Sequence, residues 1–227
     1  MIMVREAYQR QLQQLDEAVQ QMGTKVLEGL EMALRALKEH DLALAHSLDA
    51  WDDAVDEMNL QIEKQCTDLL ALQQPVAIDL RLITSVFKIT TDLERAADLA
   101  VNLGQYAADS EAFVLVPKGE LLRLGEFAKD MLHSALEVFA KRDVPRAEHL
   151  IERDRQMDQL CWDLRRRVLT ELIANALEGR TPQQAQEIAG DVIMVLWSIR
   201  DLERIADHAV NIAGRTIYLV SGSNEYI

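Results

Sequence analysis

A thirteen-residue segment of this chain occurs twice with its charged residues in register. Asp92-Leu93-Glu94-Arg95-Ala96-Ala97-Asp98-Leu99-Ala100-Val101-Asn102-Leu103-Gly104 reads against Asp201-Leu202-Glu203-Arg204-Ile205-Ala206-Asp207-His208-Ala209-Val210-Asn211-Ile212-Ala213. Asp, Leu, Glu, Arg, Ala, Asp, Ala, Val and Asn match, and the exchanges are mostly apolar for apolar. A duplication that preserves only packing repeats its apolar positions. Repetition of Glu, Arg, Asp and Asn as well marks those residues as the place to look for function.

The fold class follows from periodicity and from what is scarce. The 227 residues include four Pro and nine Gly, and apolar residues recur at three- and four-residue steps, so the chain reads as all-α. The first helix is expected from about Val4 to Lys38, on Leu12, Leu15, Val19, Met22, Val26, Leu30, Leu34 and Leu37. His40-Asp41 breaks it, and Asp41 caps a short segment through Leu48. A second long helix carries Trp51, Val55, Met58, Ile62, Gln65, Leu69 and Leu72, a coiled-coil seam with one polar slip, until Gln73-Gln74-Pro75 ends it. The third is built on Leu82, Val86, Ile89, Leu93, Ala96, Ala100 and Leu103.

Between Ser110 and Gly119 the pattern stops, and Pro117 with Gly119 marks the boundary. A fourth helix is expected from about Glu120 to Lys141, and Asp143 with Pro145 opens a short connector. The fifth helix carries Met157, Leu160, Leu164 and Val168 and stops at Gly179. Thr181-Pro182-Gln183-Gln184 combines an N-cap, a first-turn Pro and a capping-box Gln to start the sixth, with Val195, Leu202, Ile205, Ala209 and Ile212 as its seam. The architecture expected is two tandem antiparallel three-helix bundles, residues 1–112 and 117–220, with helices up to roughly 30 residues, or about 45 Å, long.

Composition removes several function classes. A formal charge of −14 disfavours nucleic acid and anionic bilayers as partners. No apolar run approaches membrane-spanning length and Met1 to Tyr8 lacks a signal-peptide core, so a cytoplasmic protein is expected. Cys66 and Cys161 stand at non-equivalent repeat positions and read as free core thiols. P-loop, GxSxG, HExxH and dinucleotide fingerprints are absent from the sequence, and an enzyme is not expected.

The candidate chemistry lies in acids four residues apart. Glu94 with Asp98, and Glu203 with Asp207, project together from their helices. The preceding helix of each half adds Asp52 with Asp56, and Asp154 with Asp158. Each like-charged pair destabilises its helix by roughly 0.2–0.5 kcal/mol. A bound hard cation such as Mg, Ca, Mn or iron would offset this, whereas zinc lacks nearby His or Cys. Helical phase places Glu94 about 100° from the Leu93 seam and Asp98 and Asn102 on the far side, so the site belongs on a bundle surface. The competing reading is a solvated face in which Arg95 ladders with Asp92 and Asp98. Whether the paired helices turn their acids toward each other is left open by periodicity. His208 is expected to be exposed, Arg165-Arg166-Arg167 to be a solvated face, and Phe87 to be a satellite core residue.

These segments resemble the PhoU family of phosphate-signalling regulators over essentially the whole chain. The resemblance is carried by the duplicated Asp-Leu-Glu-Arg-x-Ala-Asp-x-Ala-Val-Asn, by Asp52-Asp53-Ala54-Val55-Asp56, and by Pro75-Val76-Ala77-Ile78-Asp79-Leu80-Arg81. It implies two three-helix bundles and a cytoplasmic, homodimeric accessory of the phosphate ABC transporter. Such a protein would modulate phosphate uptake and negatively regulate the phosphate-starvation response, linking the transporter ATPase PstB to the sensor histidine kinase PhoR. It further implies metal held by Asp52, Asp56, Glu94, Asp98, Asp154, Asp158, Glu203 and Asp207. In the fifth helix Arg153 and Arg155 could pair with the acids and weaken the second site. Alternatives are a carboxylate-bridged di-metal enzyme, although the sequence contains no Glu-x-x-His and only Asp130-Met131-Leu132-His133 approaches it, an accessory regulator of a different phosphate permease, and a metal-free helical scaffold.

Overall fold

The computed structural model describes residues 2–109, 118–175 and 181–226. Six helices follow one another: α1 (Ile2–Glu39), α2 (Leu42–Gln73), α3 (Ala77–Asp109), α4 (Lys118–Lys141), α5 (Val144–Asn175) and α6 (Pro182–Ser221). The connections of two or three residues between α1 and α2, α2 and α3, and α4 and α5 force those neighbours to run antiparallel. α1, α2 and α3 pack as one bundle and α4, α5 and α6 as a second; α3 lies along α6, and α1 touches α4. The expected boundary at Pro117 and the stop at Gly179 lie outside the described residues. Among the described residues no helix is long and apolar enough to cross a membrane.

Local chemistry accounts for the ends. Asp41 Oδ1 accepts from the Leu44 amide at 3.0 Å, capping α2. Gln74, left-handed at φ 47° before Pro75, closes it. Asp143 Oδ1 accepts from the Arg146 amide at 3.1 Å. At α6 the full capping box forms: the Gln184 amide donates to Thr181 Oγ1 at 3.3 Å and the Thr181 amide to Gln184 Oε1 at 3.0 Å.

Four sequence expectations need correction. Leu42–Gln73 is one continuous helix, because Leu48 and Trp51 bury the same face and no breaker separates them. Pro145 stands inside the first turn of α5, where a missing N–H costs nothing. The helices also exceed the expected length, α6 reaching 40 residues, or about 60 Å. Finally the seams slip by one residue: Cys66 and Cys161 are fully buried where Gln65 and Leu160 were assigned, while Leu160 and Leu72 are exposed. A buried free thiol in each seam fits the expected core role.

Candidate functional site

The carboxylates of the first half are placed by the core residues beside them. Trp51 is buried and lies over Gly29 of α1, where a Cβ would stand 2.1 Å from the indole ring. Only glycine allows that approach, and it fixes the rotation of α2. Asp52 and Asp56 follow Trp51 and Val55 by one residue each, at the edge facing α3. Glu94 and Asp98 flank the fully buried Leu93 and Ala97 on α3. α5 and α6 repeat the arrangement with Asp154 and Asp158 beside Met157, and Glu203 and Asp207 beside Leu202 and Ala206.

The electrostatics resolve what periodicity left open: the pairs face each other. Burial first, then Asp56, Asp98, Glu94 and Asp53, pushes the Asp52 carboxyl up to about 6. Asp154 is pushed up to about 6 by burial and then by Asp158, Asp207 and Glu203. Glu94 is raised by burial and by Asp98, with partial relief from Arg95, and further by Asp56 and Glu63. Asp98 is raised by burial against the lowering effect of Arg95, and Asp207 by burial and then Glu203. Asp52 Oδ1 and Asp154 Oδ1 are buried and have no hydrogen-bond partner among the described residues. An unpaired buried carboxylate oxygen at the same place in both halves is costly unless something binds it. Even so, among the described residues no three His, Cys, Asp or Glu side chains are already arranged to hold a metal ion. An ion bound there would have to draw the carboxylates together.

The arginines are distributed differently from expectation. Arg153 leaves the acids of α5 for Asp130 on α4 at 2.7 Å, its guanidinium 5.0 Å over the Phe127 ring, so Asp130 is already engaged and Asp130-x-x-His133 has an ion-paired acid. Arg155 is exposed. Arg165, expected on a solvated face, instead contacts both carboxylate oxygens of Glu203, Nη1 lying 3.3 Å from Oε1. Arg167 pairs with Glu120. Arg95 reaches Glu94 at 3.7 Å and forms no ladder with Asp92, which is turned to α6. Phe87 is half-buried against the core, as expected.

The first Asp and the Asn of the repeated segment have a different task. Asp201 is fully buried and accepts from Tyr106 Oη at 2.9 Å, from Asn102 Nδ2 at 3.4 Å and from Arg200 Nε at 2.8 Å. Reciprocally, Asp92 accepts from Asn211 Nδ2 at 3.0 Å and meets His208 Nδ1 at 2.9 Å. Each Asp therefore bonds the Asn of the other copy across the α3–α6 contact. Tyr106 is pushed up to about 12 by burial and by its bond to Asp201, and its ring lies 5.8 Å from that of Trp197. The inference that Asn has no packing reason to be repeated is thus wrong, and so is the exposed His208. Both followed from treating the far side of α3 and α6 as solvent. Leu99, Ala97 and Val101 off the seam of α3, all buried, were the available signal, since a helix apolar all round is covered all round.

Comparison with known proteins agrees with this architecture. The family model "PhoU domain" matches twice, at residues 19–107 and 121–216. A phosphate-specific transport system accessory protein PhoU homolog of Pseudomonas putida is 31% identical over 223 residues, covering 97% of this chain and 83% of that protein. The crystal structure of PhoU from Pseudomonas aeruginosa superposes with a TM-score of 0.84 at 30% identity, covering 95% of this chain and all of that one. That of the phosphate transport system regulatory protein PhoU from Streptococcus pneumoniae gives 0.84 at 26% identity over 97% of this chain. With both bundles, the seam between them and both acidic faces accounted for by one duplicated plan, the chain belongs to the PhoU family.

Proposed function

We propose that this protein is a cytoplasmic accessory of the phosphate ABC transporter that acts by contact, without turnover. It negatively regulates the phosphate-starvation response by linking the transporter ATPase PstB to the sensor kinase PhoR, and it modulates phosphate uptake. The observation that carries the reading is the match along nearly the whole length to relatives named as accessory and regulatory proteins of phosphate transport. The distinctive polar residues support it. They divide between a seam that holds the halves together and open carboxylate faces, an arrangement suited to presenting a surface.

The acidic faces fit a hard divalent cation. Asp52, Asp56, Glu94 and Asp98 would hold it in the first half, and Asp154, Asp158, Glu203 and Asp207 in the second, all through oxygen. Two orphaned buried oxygens, at Asp52 and Asp154, support that assignment. The ion would supply charge neutralisation and draw α2 to α3, or α5 to α6, setting the face offered to a partner.

Deleting the gene should switch on phosphate-starvation genes in high phosphate, and PstB and PhoR should co-purify with the tagged protein from phosphate-replete cells. Starvation genes that stay silent in the deletion strain, together with turnover of a phosphate ester or redox substrate by the pure protein, would overturn the adaptor reading.

A further inference from the structure

The two acidic faces are built from stripes that match position by position until their last members. On α2, Asp52, Asp56, Asn59 and Glu63 follow one another at four, three and four residues, so they share one face. On α5 the same steps give Asp154, Asp158, Cys161 and Arg165. Glu63 therefore stands where Arg165 stands, an acid against a base. Glu63 acts on Glu94 by repulsion, whereas Arg165 contacts both oxygens of Glu203, the residue equivalent to Glu94. A two-pronged contact between guanidinium and carboxylate is among the stronger ion pairs. Here both partners are largely withdrawn from water, with 30% and 23% of their side chains exposed, which reduces screening.

Asn59 and Cys161 differ in the same direction. Asn59 Oδ1 is a buried oxygen without a hydrogen-bond partner among the described residues. Cys161 presents a buried thiol, pushed up to about 12 and so protonated, which a hard cation does not use. The α2 stripe thus offers oxygen and negative charge, with only Arg95 at 3.7 Å from Glu94 to relieve it from α3, and the α5 stripe a thiol and its own positive charge.

We propose that Arg165 is the resident cation of the second acidic face, so that a divalent metal ion is taken up by Asp52, Asp56, Glu94 and Asp98 in preference to their duplicates. This rests on the reading that the faces take cations, and it departs from an equal pair of sites. The duplication keeps two similar scaffolds, one held closed by its own arginine and one dependent on a bound ion.

The test uses the full chain freed of metal with a chelator and titrated with Mn²⁺. Bound ion is measured from the electron paramagnetic resonance signal of free Mn²⁺, and stability from thermal melting. The wild type should bind Mn²⁺ through the first face: Glu94→Gln should abolish the tight fraction and Glu203→Gln leave it. Glu63→Arg should abolish binding and raise the metal-free melting temperature. Arg165→Glu should bring bound Mn²⁺ per chain up by about twofold at the same free concentration, two equivalent sites replacing one. Arg165→Gln, which adds no acid, should lower the metal-free melting temperature and regain it on adding Mn²⁺. Equal losses in Glu94→Gln and Glu203→Gln would overturn the role of Arg165 and leave cation binding standing. Binding by Arg165→Glu but not by the wild type would overturn the first-face site while upholding the block by Arg165. Silence in every variant, with metal-free melting unchanged by Glu63→Arg and Arg165→Gln, would overturn both.

Discussion

The acids of the duplicated segment fall into two regions that behave in opposite ways. At the α3–α6 seam, Asp92 and Asp201 are satisfied by groups of the opposite copy, and Asp201 has no exposed surface at all. A few residues along the same helices, Glu94, Asp98 and Asp207 are raised from their ordinary values by burial, with other acids facing them across the bundle. A repeated acid is therefore not one kind of evidence. The seam acids were kept because the two halves complete each other's hydrogen bonds. The face acids have no such reciprocal bonds, although Glu203 has its Arg165 and Glu94 is reached by Arg95.

The difference predicts that mutation acts in opposite directions in the two regions. The largest effect should come from Asp201→Ala, which strands Tyr106 and Asn102 in a closed contact and should cost about 3 kcal/mol of stability in denaturant melts. The reference is Glu94→Gln, which should cost little or add stability by removing repulsion. Similar losses for both variants would break the distinction between seam and face.

Adding ion is the next largest lever, and it should act on the faces alone. A hundredfold excess of Mn²⁺ over its dissociation constant should raise stability by about 2.7 kcal/mol, as any ligand that binds only the native state does. Asp201→Ala should keep that increment and Asp98→Asn should lose it. If the increment disappeared in the seam variant, the two regions would be one coupled unit.

A smaller effect is expected from Asn211→Ala. It removes one charge-assisted donor to Asp92 but leaves His208 in place, so about 1 kcal/mol should be lost. A cycle with Asp92→Ala should show that the two losses are not additive, since both report the same contact. Strict additivity would mean that the 3.0 Å bond contributes nothing of its own.

Most of the fold was legible because it rests on period and punctuation. Leu12 through Leu37, Val86 through Leu103, and the Thr181 capping box each read out as the structure has them. The seam slips at Cys66 and Cys161 were missed because a step of three then four and a step of four then three both lead from Ile62 to Leu69 and from Met157 to Leu164, and spacing alone does not choose between them. The face acids were found in sequence, but their orientation was not, since that depends on how Trp51 rolls α2 over Gly29. The seam was invisible for a different reason. Its bonds join residues about a hundred positions apart, such as Asn102 and Asp201, and only the docking of the halves reveals that both lie in one contact. Arg165 looked like one of a basic run for the same reason.

The smallest expected effect is also the one whose sign separates the regions most cleanly. Asp52 is raised from 3.8 to about 6 in the folded chain, so the native state holds that proton more tightly than the unfolded state. Its contribution is fully present below the unfolded value of 3.8 and is lost as pH rises through about 6. The metal-free protein should therefore be more stable near pH 5 than near pH 7.5. Asp154, also at about 6, adds to this in the same window. Solvent reaches both carboxyls, which reduces each contribution to roughly 1 kcal/mol. Asp52→Asn keeps the shape and removes the charge, so near pH 7.5 it should gain about that much and flatten the pH slope. At the seam the amide exchange should act the other way, because Asp92 and Asp201 oxygens accept hydrogen bonds from Asn211 and Tyr106. Asp201→Asn should lose stability near pH 7.5 as well as near pH 5. Thermal melts of the two variants across that range decide the matter, and an Asp52→Asn protein that is less stable than wild type near pH 7.5 would show that the face acids are as well satisfied as those of the seam.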